Sequence, residues 1–423
     1  MKNVLNLFLC AVITAGVTLA PIAEAKVPAD KQEELKKRQK ARGGKALSPR
    51  AGKKVQKAFE LYQEDKVNEA LEILLEMSPK DDFDKANVDR YIGSMYAGID
   101  GKGEEAIVRL KSAIESDELP FRDHSEILNN VAALSMQAQN YEDAIKYYKE
   151  YINFSLDENE KVYVGIANAY YELKQYDNVF EPAKKAIALQ EKPNQNPYIL
   201  IMASYYEQKK YKETTKAVEV LVKTFPEESK WWVQLANFYA LIEDYDRALS
   251  TFEVAYRNGY LTKDSEMKRL AQLYANNGIP YKAAVIQEKY INSGLIKKDD
   301  KALSIMASTF QNAKEFKKAA TYYGEAAKLS NDGDLFRKQG NNLMIIEQYE
   351  AALDAFDKAS KAGFERKGML QVLIGEANFY LENWQASYDA FKEAKKDKNT
   401  AKTAASWQSF VKETAGRKGL VLN

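Results

Sequence analysis

The chain brings one histidine, His124, and one cysteine, Cys10, to any chemistry that needs a general base, a nucleophile or a soft metal ligand. A Ser-His-Asp arrangement would depend wholly on His124, which stands in FRDHSEIL at the start of a helical pattern, where a capping or exposed role is the ordinary outcome. Structural zinc, which takes four Cys or His ligands, has no donor set here. Asp299-Asp300 lacks the alternating acidic loop of an EF-hand, and Asn331-Asp332-Gly333-Asp334 reads as a turn that ends in an Asp helix cap. Gly101-Lys102-Gly103 lacks the rest of a phosphate-binding loop. Carboxylates are plentiful, but a hydrolase built on them, such as one acting on cell-wall glycan, needs two facing carboxyls in a closed pocket. The expectation is a non-enzymatic protein with no metal and no cofactor.

What recurs instead is packing. In WWVQLANFYALIEDYDRALSTFEVAYRNGY, residues 231–260, Trp232, Leu235, Ala236 and Tyr239 fall at i, i+3, i+4 and i+7. Ala248, Phe252 and Ala255 repeat the rule after the turn-like Asp244-Tyr245-Asp246. Each run puts its apolar residues on one helix face, so the stretch reads as two short amphipathic helices in a hairpin.

The same hairpin can be followed along the chain. The small residue that opens the second helix recurs at Ala70, Ala106, Ala144, Val179, Thr214, Ala248, Ala283, Ala319, Ala352 and Ser387, in steps of 33 to 38 residues. Four residues later most units carry a larger apolar group, such as Leu110, Phe252, Phe356 and Phe391. About twelve residues earlier stands a small one, including Gly93, Ala236, Gly340 and Gly375. One hairpin cannot bury its apolar face, so each must stack on the next.

The N-terminus follows different rules. Lys2, the apolar run Val4 to Ala20 and Ala23-Glu24-Ala25 read as a cleavable secretory signal over 1–25, which removes Cys10 and implies a periplasmic protein. Residues 26–54 carry 11 basic and 3 acidic side chains, although the whole chain is almost neutral at +1. Such a segment has too few apolar residues to offset its ordering entropy, so a mobile basic arm is expected, free to touch anionic lipid headgroups, another protein or its own repeats. Ala404, Trp407, Phe410 and Val411 lie on one side of the last helical pattern and suit a capping helix over 401–423.

The ten-unit register over 55–400 resembles the tetratricopeptide repeat, a 34-residue helix–turn–helix with Trp, Leu, Gly/Ala, Tyr, Ala, Phe and Ala at set places; Trp232, Leu235, Ala236, Tyr239, Ala248, Phe252 and Ala255 occupy them here. The resemblance implies an all-α fold: a right-handed superhelical solenoid of about ten repeats with a C-terminal capping helix. It also implies a concave groove lined by the first helices, at the places one and four after the small residue. Those places, with the helix starts, hold Lys161, Asn168, Tyr171, Tyr206, Lys230, Asn237, Gln272 and Asn341, and Phe379 is a further ring at such a place. Amides pair with both backbone groups of an extended peptide, and rings add area at low entropy cost.

More particular stretches, among them GYLTKDSEMKRLAQLYANNGIPYKAAVIQEKYINSGLI at 259–296 and AAKLSNDGDLFRKQG at 326–340, resemble the periplasmic tetratricopeptide proteins associated with TonB–ExbB–ExbD systems of gamma-proteobacteria. That resemblance implies an accessory part in TonB-dependent energy transduction for iron–siderophore uptake, with TonB, ExbB or ExbD-type components as partners. The alternative is a scaffold for cell-envelope biogenesis, serving outer-membrane protein or peptidoglycan assembly. Neither the nearly balanced charge nor any motif points to nucleic acid.

Overall fold

The computed structural model describes residues 27–422, and every regular element among them is helical. The expected signal over 1–25 lies outside the described residues. The chain divides into two compact units, Met1–Trp231 and Trp232–Asn423.

Unit 1 contains α1 (Gln32–Ala41) and five antiparallel hairpins. These are α2 (Pro49–Gln63) with α3 (Val67–Leu75), α4 (Asp82–Ala97) with α5 (Gly103–Glu115), α6 (Phe121–Gln137) with α7 (Tyr141–Ser155), α8 (Glu160–Glu172) with α9 (Phe180–Leu189), and α10 (Asn196–Glu207) with α11 (Tyr211–Thr224). The hairpins of unit 2 are α12 (Ser229–Leu241, its first turn assigned to unit 1) with α13 (Tyr245–Arg257), α14 (Asp264–Asn276) with α15 (Pro280–Asn292), α16 (Asp300–Asn312) with α17 (Phe316–Ser330), α18 (Gly333–Ile345) with α19 (Tyr349–Lys361), and α20 (Lys367–Tyr380) with α21 (Trp384–Ala394). A single helix, α22 (Ala401–Arg417), follows. Ten helix–turn–helix units of this length are tetratricopeptide architecture.

The seam of each hairpin explains the register. All ten residues from Ala70 to Ser387 that open the second helix are 0% exposed. The two polar ones satisfy their hydroxyls locally: Thr214 Oγ1 donates to the Lys210 carbonyl at 2.9 Å, and Ser387 Oγ donates to the Gly375 carbonyl at 2.8 Å. Opposite them, a Cβ added at Gly93 would stand 2.7 Å from the Leu110 side chain, and one at Gly375 would stand 2.7 Å from the Phe391 ring. Small residues on the first helix thus make room for large ones on the second. Hairpin α8/α9 departs locally, with a 3-10 turn at Tyr176–Val179 before α9, because Pro182 has no N–H to continue an α-helix back to Asn178.

The turn inside each hairpin is also repeated. A left-handed residue sits five places before each seam residue: Asp65, Gly101, Gln139, Lys174 and Lys209 in unit 1, and Glu243, Gly278, Lys314, Glu347 and Glu382 in unit 2. In nine of the ten, the next backbone N–H reaches back five residues, as Asn140 does to Ser135 (2.8 Å) and Glu315 to Phe310 (2.9 Å), which caps the first helix in the Schellman manner.

The basic segment expected as a mobile arm contains a helix that contacts the repeats. Residues 32–41 form α1, and its inner positions Leu35 and Arg38 share one face with the flanking Lys31 and Arg42 at i, i+4, i+7 and i+11. Arg38 Nη1 donates to the carbonyls of Asn153 (2.5 Å) and Phe154 (3.0 Å). Arg42 pairs with Asp117, Lys45 with Glu118, and Lys31 with Glu158 at 3.8 Å. Helix-end carbonyls and loop carboxylates of the third hairpin region replace the apolar contacts that the segment lacks.

His124 also differs from expectation. It is neither exposed nor a cap: Pro120 precedes α6, and the imidazole is only 7% exposed, stacked on Phe154 with centroids 4.5 Å apart. The strap and the Phe154 ring cover it from sides the linear sequence does not bring near. At the C-terminus, Ala404 and Val411 are 0% exposed and Trp407 stacks on Phe391 at 5.4 Å, while Phe410 remains half exposed.

Candidate functional site

The residues expected to line a groove are distributed over both units. In unit 1, Lys161 is exposed at the start of α8 and Asn168 half-buried within it. Lys230 is occupied by Glu228 at 3.7 Å and by the Trp231 ring at 4.9 Å. Tyr171 is corrected as a groove residue: it is 8% exposed and packs against Tyr176 across the hairpin turn, 5.6 Å between centroids. Tyr206 makes the equivalent pair with Tyr211 at 5.8 Å but stays half-buried. The ring four places after the small residue leans toward the start of its own second helix whenever an aromatic stands there. Phe379 obeys the same rule with Trp384 (5.4 Å) and belongs to the terminal aromatic core.

In unit 2, Asn237 is half-buried on α12 and Gln272 exposed on α14. Asn341 alone of the eight borders a described cavity. That cavity, about 450 Å³, lies along the first helices α16 and α18 and is lined chiefly by Ser304, Ser308, Gln311, Arg337, Asn341 and Asn342.

Local structure places these groups. Asp299 Oδ1 accepts from the Ala302 N–H (2.8 Å) to cap α16, and Asp332 Oδ1 accepts from the Asp334 N–H (2.7 Å) to cap α18. The two acidic motifs considered for calcium are thus helix starts. Within the first turn of α18, Asp334 holds Arg337 Nη2 at 2.8 Å and Lys338 Nζ at 2.9 Å. Burial opposes the Asp334 charge, but the hydrogen bonds from Lys338 and Arg337 outweigh it and hold the carboxyl below its ordinary pKa. Arg337 and Lys338 are therefore fixed in direction beside the cavity, and their charge is largely matched.

The amides are less completely matched. Asn342, 1% exposed, donates from Nδ2 to the Lys338 carbonyl (2.8 Å) and to Gln311 Oε1 (3.3 Å). Its Oδ1, and that of Asn341, are shielded from solvent and accept no hydrogen bond. A buried carbonyl oxygen without a donor is unfavourable by about 1–3 kcal/mol. A ligand presenting N–H groups would relieve it, and Ser308 and Lys338 supply donors for that ligand's carbonyls, while the Ser304 hydroxyl donates to the Lys301 carbonyl at 3.0 Å. This is hydrogen bonding to an amide backbone, with no nucleophile–base pair in the lining.

Sequence reasoning missed Ser308, Gln311 and Asn342. Ser308 stands one place and Gln311 four places after Ala307, so the register contained both. Asn342 lies one place off the register, and only packing turns it toward Gln311.

No protein-family profile matches the chain, and no curated protein matches it. Among solved structures the chain is similar to a tetratricopeptide repeat protein from Parabacteroides merdae, with 15% identity over 62% of this chain and 98% of that one and a TM-score of 0.35. It is also similar to MamA from Desulfovibrio magneticus (18% identity, 41% of this chain, 94% of that one, TM-score 0.34). A third is YrrB, described as a tetratricopeptide protein with an unusual peptide-binding site (19% identity, 45% and 96%, TM-score 0.34). These are likenesses of fold alone.

Proposed function

We propose that this protein is a non-enzymatic, periplasmic binding protein, an accessory of a TonB-dependent system for iron–siderophore uptake, and that unit 2 holds an extended segment of a partner at the α16/α18 cavity. The observation that carries the binding reading is the pair of shielded, unpartnered Oδ1 atoms of Asn341 and Asn342 beside hydroxyl and ammonium donors. Peptide backbone offers N–H and C=O groups in alternation and matches that pattern at both ends. The periplasmic and TonB-linked parts of the reading rest on the signal-like N-terminus and on the resemblance of residues 259–296 and 326–340. Among the described residues no helix is long and apolar enough to cross a membrane.

The test is photo-crosslinking from Ser308, replaced by a photoreactive residue, in iron-starved cells, followed by mass spectrometry. Recovery of TonB, ExbB or ExbD peptides is expected, with capture reduced about tenfold in Asn341→Ala. Recovery of envelope-assembly factors or wall enzymes instead would move the protein to the scaffold alternative. Equal capture by Asn341→Ala would remove this cavity from the site.

A further inference from the structure

The basic segment has two faces with different chemistry. The inner face of α1 uses Lys31, Arg38 and Arg42, all bonded to the repeats, with Arg forks on carbonyls and a carboxylate. The opposite face, half a helical turn away, carries Lys36, Lys37 and Lys40, all exposed. Of these, only Lys36 makes an ion pair among the described residues, with Glu33 at 3.4 Å. Beyond the linker, Arg50, Lys53 and Lys57 are exposed along α2 at i, i+3 and i+7. None of these three makes an ion pair among the described residues. The docked cations are neutralised by loops of the third hairpin region; the outward ones are six positive side chains interspersed with two exposed acids, Glu33 on α1 and Glu60 on α2.

We propose that this outward face is a docking surface for anionic phospholipid headgroups, so that the strap joins the repeats of unit 1 to a membrane surface. Three features favour a lipid surface over a single acidic protein site. The cations form stripes on exposed helix faces and border neither the α16/α18 cavity nor the hollow of about 490 Å³ beside Leu71 and Tyr96. Five of the six are lysines, whose hydrated point charges suit a diffuse anionic layer, whereas the planar forks of Arg38 and Arg42 are used on fixed oxygens. The stripes hold no buried donor or shaped recess that would select one carboxylate. Polybasic segments gain affinity for anionic bilayers with each added charge and lose it as salt screens the surface. This inference is independent of the α16/α18 cavity and of the TonB reading.

Flotation of the chain from Lys26 onward with liposomes tests it, using phosphatidylcholine alone and phosphatidylcholine mixed with phosphatidylglycerol. Binding is expected only with phosphatidylglycerol, lost at high salt, and reduced about tenfold or more in the variant Lys37→Gln/Lys40→Gln/Lys53→Gln/Lys57→Gln, while the same four changes to Arg retain it. Should the glutamine variant lose helix content by circular dichroism, Lys37→Gln/Lys40→Gln on α1 alone carries the test with a smaller fall. The proposal is overturned if the glutamine variants bind like the parent, if both lipid compositions bind equally, or if no liposome binds. Retention on immobilised polyglutamate through the same lysines, without liposome binding, would assign the surface to an acidic polypeptide.

Discussion

Arg42 Nη1 lies 3.4 Å from Nδ1 of His124, with the Phe154 ring beneath both: 4.8 Å from the guanidinium carbon and 4.5 Å from the imidazole centroid. Arg can only donate, so Nδ1 accepts, and the imidazole is neutral with its hydrogen on Nε2. The only histidine of the chain is thus the acceptor that seats the N-terminal strap.

A pH dependence follows. Burial, reinforced by the Arg42 charge and partly opposed by Asp117, pushes the His124 pKa from 6.5 down to about 4. Between those values the unfolded chain binds a proton that the folded chain refuses, so stability rises with pH across that window and the contribution is complete above it. Chemical unfolding of the parent should therefore show unit 1 weaker by roughly 2–3 kcal/mol near pH 4 than near pH 7 through this group. His124→Gln should flatten that part of the profile; an unchanged profile would show that His124 does not titrate as the geometry requires.

Arg42→Ala removes the strap's central bond while leaving the hairpin seams alone. Limited trypsin digestion should cut after Lys36 and Lys40 markedly faster than in the parent, and the major thermal transition should move little. The loss corresponds to charge-assisted hydrogen bonds of about 1.5–3 kcal/mol acting on the strap alone. Equal protection of the two lysines would mean that Arg38 and Lys45 suffice.

The seam tolerates neither charge nor bulk. Ala236 and Ala248 are both 0% exposed on facing helices of the α12/α13 hairpin. Ala236→Glu or Ala248→Arg should destabilise unit 2 by several kcal/mol, because the introduced charge has no partner in that seam. Gly375→Val should destabilise it by about 1–3 kcal/mol through overpacking against Phe391. Calorimetric melting that matches the parent for either charged variant would show that the register is misplaced.

At the turns the sign reverses. Gln139 and Glu347 hold φ of 58° and 59°, the region where a Cβ is disfavoured by roughly 1–2 kcal/mol. Gln139→Gly and Glu347→Gly should each stabilise by up to about 1 kcal/mol, the gain being reduced by the greater freedom of Gly in the unfolded chain. Gly278→Val, at φ 72°, should destabilise. Urea midpoints of the three variants check this, and a Gly substitution that lowered the midpoint would contradict the turn geometry.

The repeat was legible because it is a local rule: each hairpin must place a small residue against a large one at a fixed offset, and that offset survives where the small residue is Thr214 or Ser387. The left-handed turn residues share the same period yet escaped notice, since eight of the ten are Asp, Gln, Lys or Glu and carry no glycine to mark them. Asn341 was found from the register alone. Asn342, one place away, gained its unpartnered oxygen only from packing on Gln311 and the Lys338 carbonyl.

By itself, then, the sequence determined the helical hairpins, their number and the buried seam, because helix periodicity and side-chain volume act between residues close in the chain. Only the tertiary structure decided which amide oxygens lack a partner, that Tyr171 turns inward, and that the basic segment is a strap seated on His124. Arg42 and His124 are 82 residues apart, and no pattern of composition or spacing encodes a bond whose two partners are brought together by the intervening hairpins.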